Sequence, residues 1–322
     1  GMAKKQKITK GIFSRFWLLV LACVMVLGPL GPFYNTLKAA NIGGPGPRYK
    51  LDLCYMDFLF KPSGLIETHL EINMEALRDL KRLQISIPYG QDQSLDLKSF
   101  SRAEFNPQGQ LINIQGERST TPLDDTSSLE AYYVQDTGTH MVLDINAAIP
   151  QGATRRLIMD YDIYGASTRY PDVAASLINI LSKTESSSIG KLALRFGFEA
   201  PVYEEELAEF FIQQRNSLGI RSNLVDAVDA ASFLQKMSQA RVKIEEENPS
   251  FYYYGENIAA NSGFQVQAIY PSVWIPRQSI EGDEDRLDDL MDQQVSYHIE
   301  MIRIHDIRYY GTIFTHVFLG LG

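Results

Sequence analysis

Apolar and polar residues alternate in short runs from Tyr49 to Gly165, and turn residues separate the runs. "RYKLDLCYMDFLF" is followed by "KPSG", then by "LIETHLEINM", in which Ile66, Leu70, Ile72 and Met74 share one face at period two. "LKRLQISIP" ends at "YGQD", and "SLDLKSFSRAEF" ends at "NPQG", a turn that leads into "QLINIQGE" as a hairpin. "LEAYYVQD", "HMVLDINAAIP" and "RRLIMDYDIYG" complete a set of about eight strands with no long helix between them. This spacing predicts an antiparallel β-sandwich over residues 49–167.

Beyond it the pattern predicts a helical region over 168–250. Pro171 and Asp172 open "PDVAASLINILSK", with proline suited to a first helical turn. "PVYEEELAEFFIQQRN" repeats that start with Glu204, Glu205 and Glu206 near the positive end of the helix, and Gly219 stops it. In "LVDAVDAASFLQKMSQARVKIEEE", Val225, Val228, Phe233, Leu234, Met237 and Val242 approximate a helical stripe that serves as core or as a face for a protein partner. Residues 251–322 read as mixed: "FYYYGENIAANSG" as an aromatic and polar loop, "GFQVQAIYP" as a strand, and "EGDEDRLDDLMD" as an acidic helix. The final "YYGTIFTHVFLGLG" reads as a terminal strand or as the start of a membrane segment. The expected fold class is therefore α+β: a sandwich, a helical region and a short mixed part.

The only long apolar run is "FWLLVLACVMVLGPLGPF", residues 16–33. Lys4, Lys5, Lys7, Lys10 and Arg15 precede it, and only Lys38 follows it before Ala40, an asymmetry that keeps the N-terminus in the cytoplasm and sends the rest of the chain across a membrane. Residues 1–40 read as a cleaved leader or a retained anchor, since the run breaks at Gly28 and Pro29 and small residues stand before Asn41. "VLAC" around Cys23 loosely fits a lipid-attachment signal, but the run stays apolar past the cysteine. Residues 41–48, "NIGGPGPR", form a Gly/Pro linker.

Charge and cysteine count narrow the classes. Beyond residue 40 lie 24 of the 30 basic residues and all 39 acidic ones, a balance near −15. That excludes a nucleic-acid partner, whose binding rests on basic contacts to phosphate. Cys54 is the only cysteine there, so neither an internal disulfide nor a cysteine-based zinc site is available, and the fold must rest on its apolar core.

"IPQGATRRLIMDYDIYG", residues 149–165, sets a Pro150–Gly152 turn before a strand with Leu157, Met159, Tyr161 and Ile163 on one face. With the basic leader, this stretch resembles bacterial membrane proteins of unknown function that carry an extracytoplasmic N-terminal β-sandwich domain. The resemblance implies a location and an architecture and no catalytic residue.

Motifs for chemistry are sparse. Nucleophile elbows, phosphate loops, dinucleotide fingerprints and the two-histidine zinc helix are missing, so no cofactor is expected. His298 and His305, with Glu300, Asp306 and His316 nearby, are weak metal candidates because their spacing gives no tight ligand pair. Asp283, Asp285, Asp288, Asp289 and Asp292 resemble a calcium loop only in composition. Phe251, Tyr252, Tyr253, Tyr254 and Trp274 are the candidate ligand-binding residues, as an aromatic platform for sugars or peptides or as filling of an internal joint. The function expected is a non-enzymatic, membrane-associated extracytoplasmic module for binding or assembly of a membrane complex. The alternatives are a cell-envelope hydrolase around His298, Glu300 and His305, and a subunit of a transport or secretion assembly.

Overall fold

The computed structural model describes residues 47–105, 108, 110–181, 187–199, 209–214, 250–258, 260, 264–296, 299, 300, 303 and 310. Residues 47–298 form one compact unit; the other unit, 1–46 with 299–322, contains few described residues.

The strands are β1 Tyr49–Phe60, β2 Ile66–Ala76, β3 Leu80–Pro88, β4 Ser94–Phe105, β5 Leu111–Gln115, β6 Glu117–Arg118, β7 Ala131–Asp136, β8 His140–Ile149, β9 Thr154–Tyr164, β10 Ser167–Arg169, β11 Val173–Leu181, β12 Ile189–Phe198, β13 Glu209–Gln214, β14 Ser250–Ile258 and β15 Phe264–Pro271. They build a seven-stranded sheet in the order β14-β12-β1-β2-β9-β4-β5 and two four-stranded sheets, β10-β11-β15-β13 and β3-β8-β7-β6. The main core among the described residues draws on all three: Phe58, Met159 and Leu194 come from the first, Ile178 and Val266 from the second, and Leu83 and Leu143 from the third, while Val173, Ile269 and Leu290 form a smaller cluster.

The expected α+β class is overturned. The described residues are mostly strand, and the sheets are mixed rather than purely antiparallel, because β1 pairs in parallel with β12 from Leu51↔Ile189 to Phe60↔Phe198. The segment expected as the first helix of the 168–250 region contains β11. Its buried positions are Val173, Ala174, Ser176, Ile178 and Ile180, which from Ala174 onward alternate at period two, a pattern that the serine conceals in the sequence. Ser176 is tolerated inside because its hydroxyl bonds those of Ser167 (2.8 Å) and Tyr270 (2.7 Å). "EFFIQQ", expected as helix, is β13, paired antiparallel with β15. The stripe at Val228, Phe233 and Met237, and the apolar run 16–33, lie outside the described residues. Among the described residues no helix is long and apolar enough to cross a membrane.

"FYYYGENI", expected as loop, is the edge strand β14, antiparallel to β12 from Ile189↔Ile258 to Gly197↔Ser250. No break in the first sheet falls at residue 167, since β12 and β14 extend it beyond β1. Rings bind the sheets at that end: Phe198 lies 4.4 Å from Phe60, 4.8 Å from Tyr270 and 4.9 Å from Trp274, centroid to centroid. The acidic segment forms a helix over 287–296. Asp172, read from sequence as opening its own helix, instead accepts the Arg286 and Leu287 backbone N–H groups at 2.9 Å each. Burial works against its charge, but these bonds hold its carboxyl below the usual range.

Phe198→Ala should lower stability by about 3–5 kcal/mol, read from the shift of the urea midpoint, because the cavity opens where two sheets meet. A fragment of residues 49–167 should give poorly dispersed amide NMR signals while 47–298 gives dispersed ones, since β1 would lose the partner that covers its edge.

Candidate functional site: the charged face of the seven-stranded sheet

Because strands alternate, each strand of the large sheet gives one face to the core and one outward. On the outward face, register brings charged and hydroxyl groups from five strands into one row. Asp57 of β1 stands opposite Arg195 of β12 and His69 of β2. His69 in turn stands opposite Asp160 of β9, which stands opposite Ser99 of β4.

Side chains link along that row. Arg195 donates from one guanidinium nitrogen to both Asp57 oxygens, at 2.9 and 2.8 Å, and from another to Ser250 Oγ at 3.2 Å. Tyr55 O–H donates to Asp57 at 3.4 Å, and its ring meets the His69 ring edge-on with centroids 6.5 Å apart. The His69 ring lies between two carboxylates, with Nδ1 2.6 Å from Asp160 Oδ1 and Nε2 3.1 Å from Glu71 Oε1. Ser99 Oγ donates to the other Asp160 oxygen at 2.6 Å. A second group sits alongside: Lys98 lies 2.7 Å from Asp96 and 3.1 Å from Asp162.

These partners set the charge states. Burial works against a charged His69, but the hydrogen bonds and charges of Asp160 and Glu71 outweigh it and raise its pKa to about 9. At neutral pH the ring is therefore an imidazolium with both N–H groups donated. Burial, followed by the Asp57 charge, pushes the Tyr55 phenol far above its ordinary value.

Serine, histidine and aspartate are thus close together, but their order is not that of a nucleophilic triad. An activated serine gives its proton to a neutral imidazole. Here Ser99 bonds the aspartate, and the imidazolium has no free lone pair to accept a proton. Among the described residues, no set of three histidine, cysteine or carboxylate side chains is placed to hold a metal ion.

The structure locates the sequence candidates as follows. Trp274 is buried, 1% exposed, against Phe198 and Tyr270. Tyr253 is 5% exposed and joins the same core, while Tyr254, next along the strand, is half-buried and donates to Glu256. The Phe251 and Tyr252 side chains, and His298 and His305, lie outside the described residues; Glu300 is exposed. The Tyr253 and Trp274 rings therefore sit in the interior rather than on a surface platform. Sequence reasoning missed His69. Its signal was an outward position in "ETHLE", flanked two residues away on each side by glutamate, but its pairing with Asp160 depends on a register 91 residues away.

No family model matches this chain, and no curated protein does. Among solved structures it is similar to an M1 zinc metallopeptidase from Deinococcus radiodurans, at 10% identity and a TM-score of 0.34, covering 69% of this chain and 43% of that one. It is also similar to yeast LTA4 hydrolase in complex with bestatin, at 8% identity and a TM-score of 0.35, covering 69% of this chain and 28% of that one. The chain thus spans less than half the length of each, and likeness at these scores carries no argument about activity.

His69 gains its charge-stabilising partners on folding, so its contribution is fully present below its unfolded pKa near 6.5 and is lost as pH rises through about 9. Wild-type stability should therefore fall by about 1–3 kcal/mol across that window, a range reduced from the full shift because Asp160 is partly exposed. His69→Gln should flatten the curve, as measured by urea denaturation at a series of pH values.

Proposed function

We propose that this chain is a non-enzymatic module, held at a bacterial membrane with its β-rich part on the extracytoplasmic side, that binds or helps to assemble a membrane complex. The observation that carries this reading is the pairing of reactive groups on the outward face. Arg195 is spent on Asp57, His69 on Asp160 and Glu71, and Ser99 on Asp160. Such a face holds five strands in register and, among the described residues, offers no poised acid, base or nucleophile. The basic residues before the apolar run 16–33 support the location, and the acid excess beyond residue 40 supports a protein partner over nucleic acid or an anionic lipid surface.

The test is to express the full chain in a bacterial host, wash the membranes with high salt, and assay the purified chain on peptide, ester and glycoside substrates. The expected outcome is a chain that stays with the membrane and turns over none of them. Turnover that His305→Ala abolishes would replace this reading with the cell-envelope hydrolase; a soluble product lacking the first 40 residues would make the chain a secreted module.

A further inference from the structure

The large sheet ends at β5, "LINIQ", and this edge lacks the charges, proline and bulge that commonly guard one. Among the described residues it is short but contains no charged residue and no proline, no irregularity interrupts its pairing with β4, and Leu111 and Ile112 are 47% and 46% exposed. The opposite edge strand, β14, has Tyr254 and Glu256 hydrogen-bonded to each other on its outward face. An open, uncharged edge is a template for another strand.

We infer that the partner of this edge is the β5 strand of a second copy of the chain, antiparallel and centred on Asn113, so that two seven-stranded sheets become one. This goes beyond the function proposed above and does not depend on where the chain resides.

Backbone direction selects this register. The Gly116 N–H bonds the Phe100 carbonyl of β4 at 2.8 Å, so Ile112, Ile114 and Gly116 turn their backbone groups toward β4. Leu111, Asn113 and Gln115 therefore turn theirs off the sheet. A two-fold pairing through Asn113 sets Asn113 against its own copy and Leu111 against Gln115. Among the described residues no backbone group bonds the N–H or C=O of these positions, so the exchange gives about six backbone hydrogen bonds.

The same register places Ile112 opposite Ile114 on both sides of the axis. These residues lie on the face of Phe100, the side of the sheet that carries the core, and the register keeps that face continuous across the join. A shift of one residue would set the core face of one copy level with the polar face of the other. No charge meets a like charge, because the paired segment holds none. The contact is a small one and fits reversible association rather than a permanent dimer.

The experiment uses the full chain in mild detergent. Sedimentation should show a monomer–dimer equilibrium. Asn113→Pro removes only an N–H that points off the edge, so the variant should keep the wild-type circular dichroism while its dimer dissociation constant rises at least about tenfold. In a Cys23→Ser background, Asn113→Cys should form an interchain disulfide, because facing Cα atoms about 5.5 Å apart suit that bond. Leu111→Cys should not crosslink alone and should do so together with Gln115→Cys. A dimer that Asn113→Pro leaves intact, or equal crosslinking by Leu111→Cys alone, would overturn the register and the interface. A chain that stays monomeric would overturn the proposal and leave the edge to an extended segment of another protein.

Discussion

The parallel pairing of β1 with β12 is the constraint on which the architecture depends. It sets Phe58 against Phe196 and Phe60 against Phe198, and both ring pairs stack on the core side, with centroids 5.4 and 4.4 Å apart. Through Phe198 the contact reaches Tyr270 and Trp274, and so the second sheet and the turn after β15. On the other side of the same strands it sets Asp57 against Arg195. One register therefore fixes both an aromatic layer and the start of the charged row. Shifting it by one residue would bury the charges and expose the rings.

The charged row is held together by geometry more than by the strength of any one pair. Arg195 is close to fully buried and so needs Asp57, since breaking such a pair leaves an uncompensated charge. Asp160 is partly exposed, so its attraction to His69 is weakened by solvent. Their combined effect is alignment: a row running across β12, β1, β2, β9 and β4 disfavours any slip of those strands against one another.

The strands from Tyr49 to Gly165 could be read from the sequence because they alternate cleanly and end in turn residues, as in "KPSG" and "YGQD". β11 could not, because Ser176 occupies a core position and its satisfaction depends on hydroxyls 9 and 94 residues away. β14 was concealed by polar residues on its outward positions and by its place at an edge. The aromatic residues were noticed, but a sequence does not say which side of a strand faces the core; register gave Tyr253 to the interior and Tyr254 to the other face. The His69 row was illegible for the same reason, since no local pattern encodes a pairing between β2 and β9.

The wide separation of Asp57 and Arg195, 138 residues apart in the chain, bears on how the protein is made. During synthesis β1 emerges long before β12 exists to pair with it. The hairpin with β2 can form early, but the other edge of β1 and its phenylalanine side must wait through most of translation. In that interval the nascent chain presents an apolar strand edge of the kind that chaperones hold and that aggregation exploits. The central sheet cannot close until the later strands have followed.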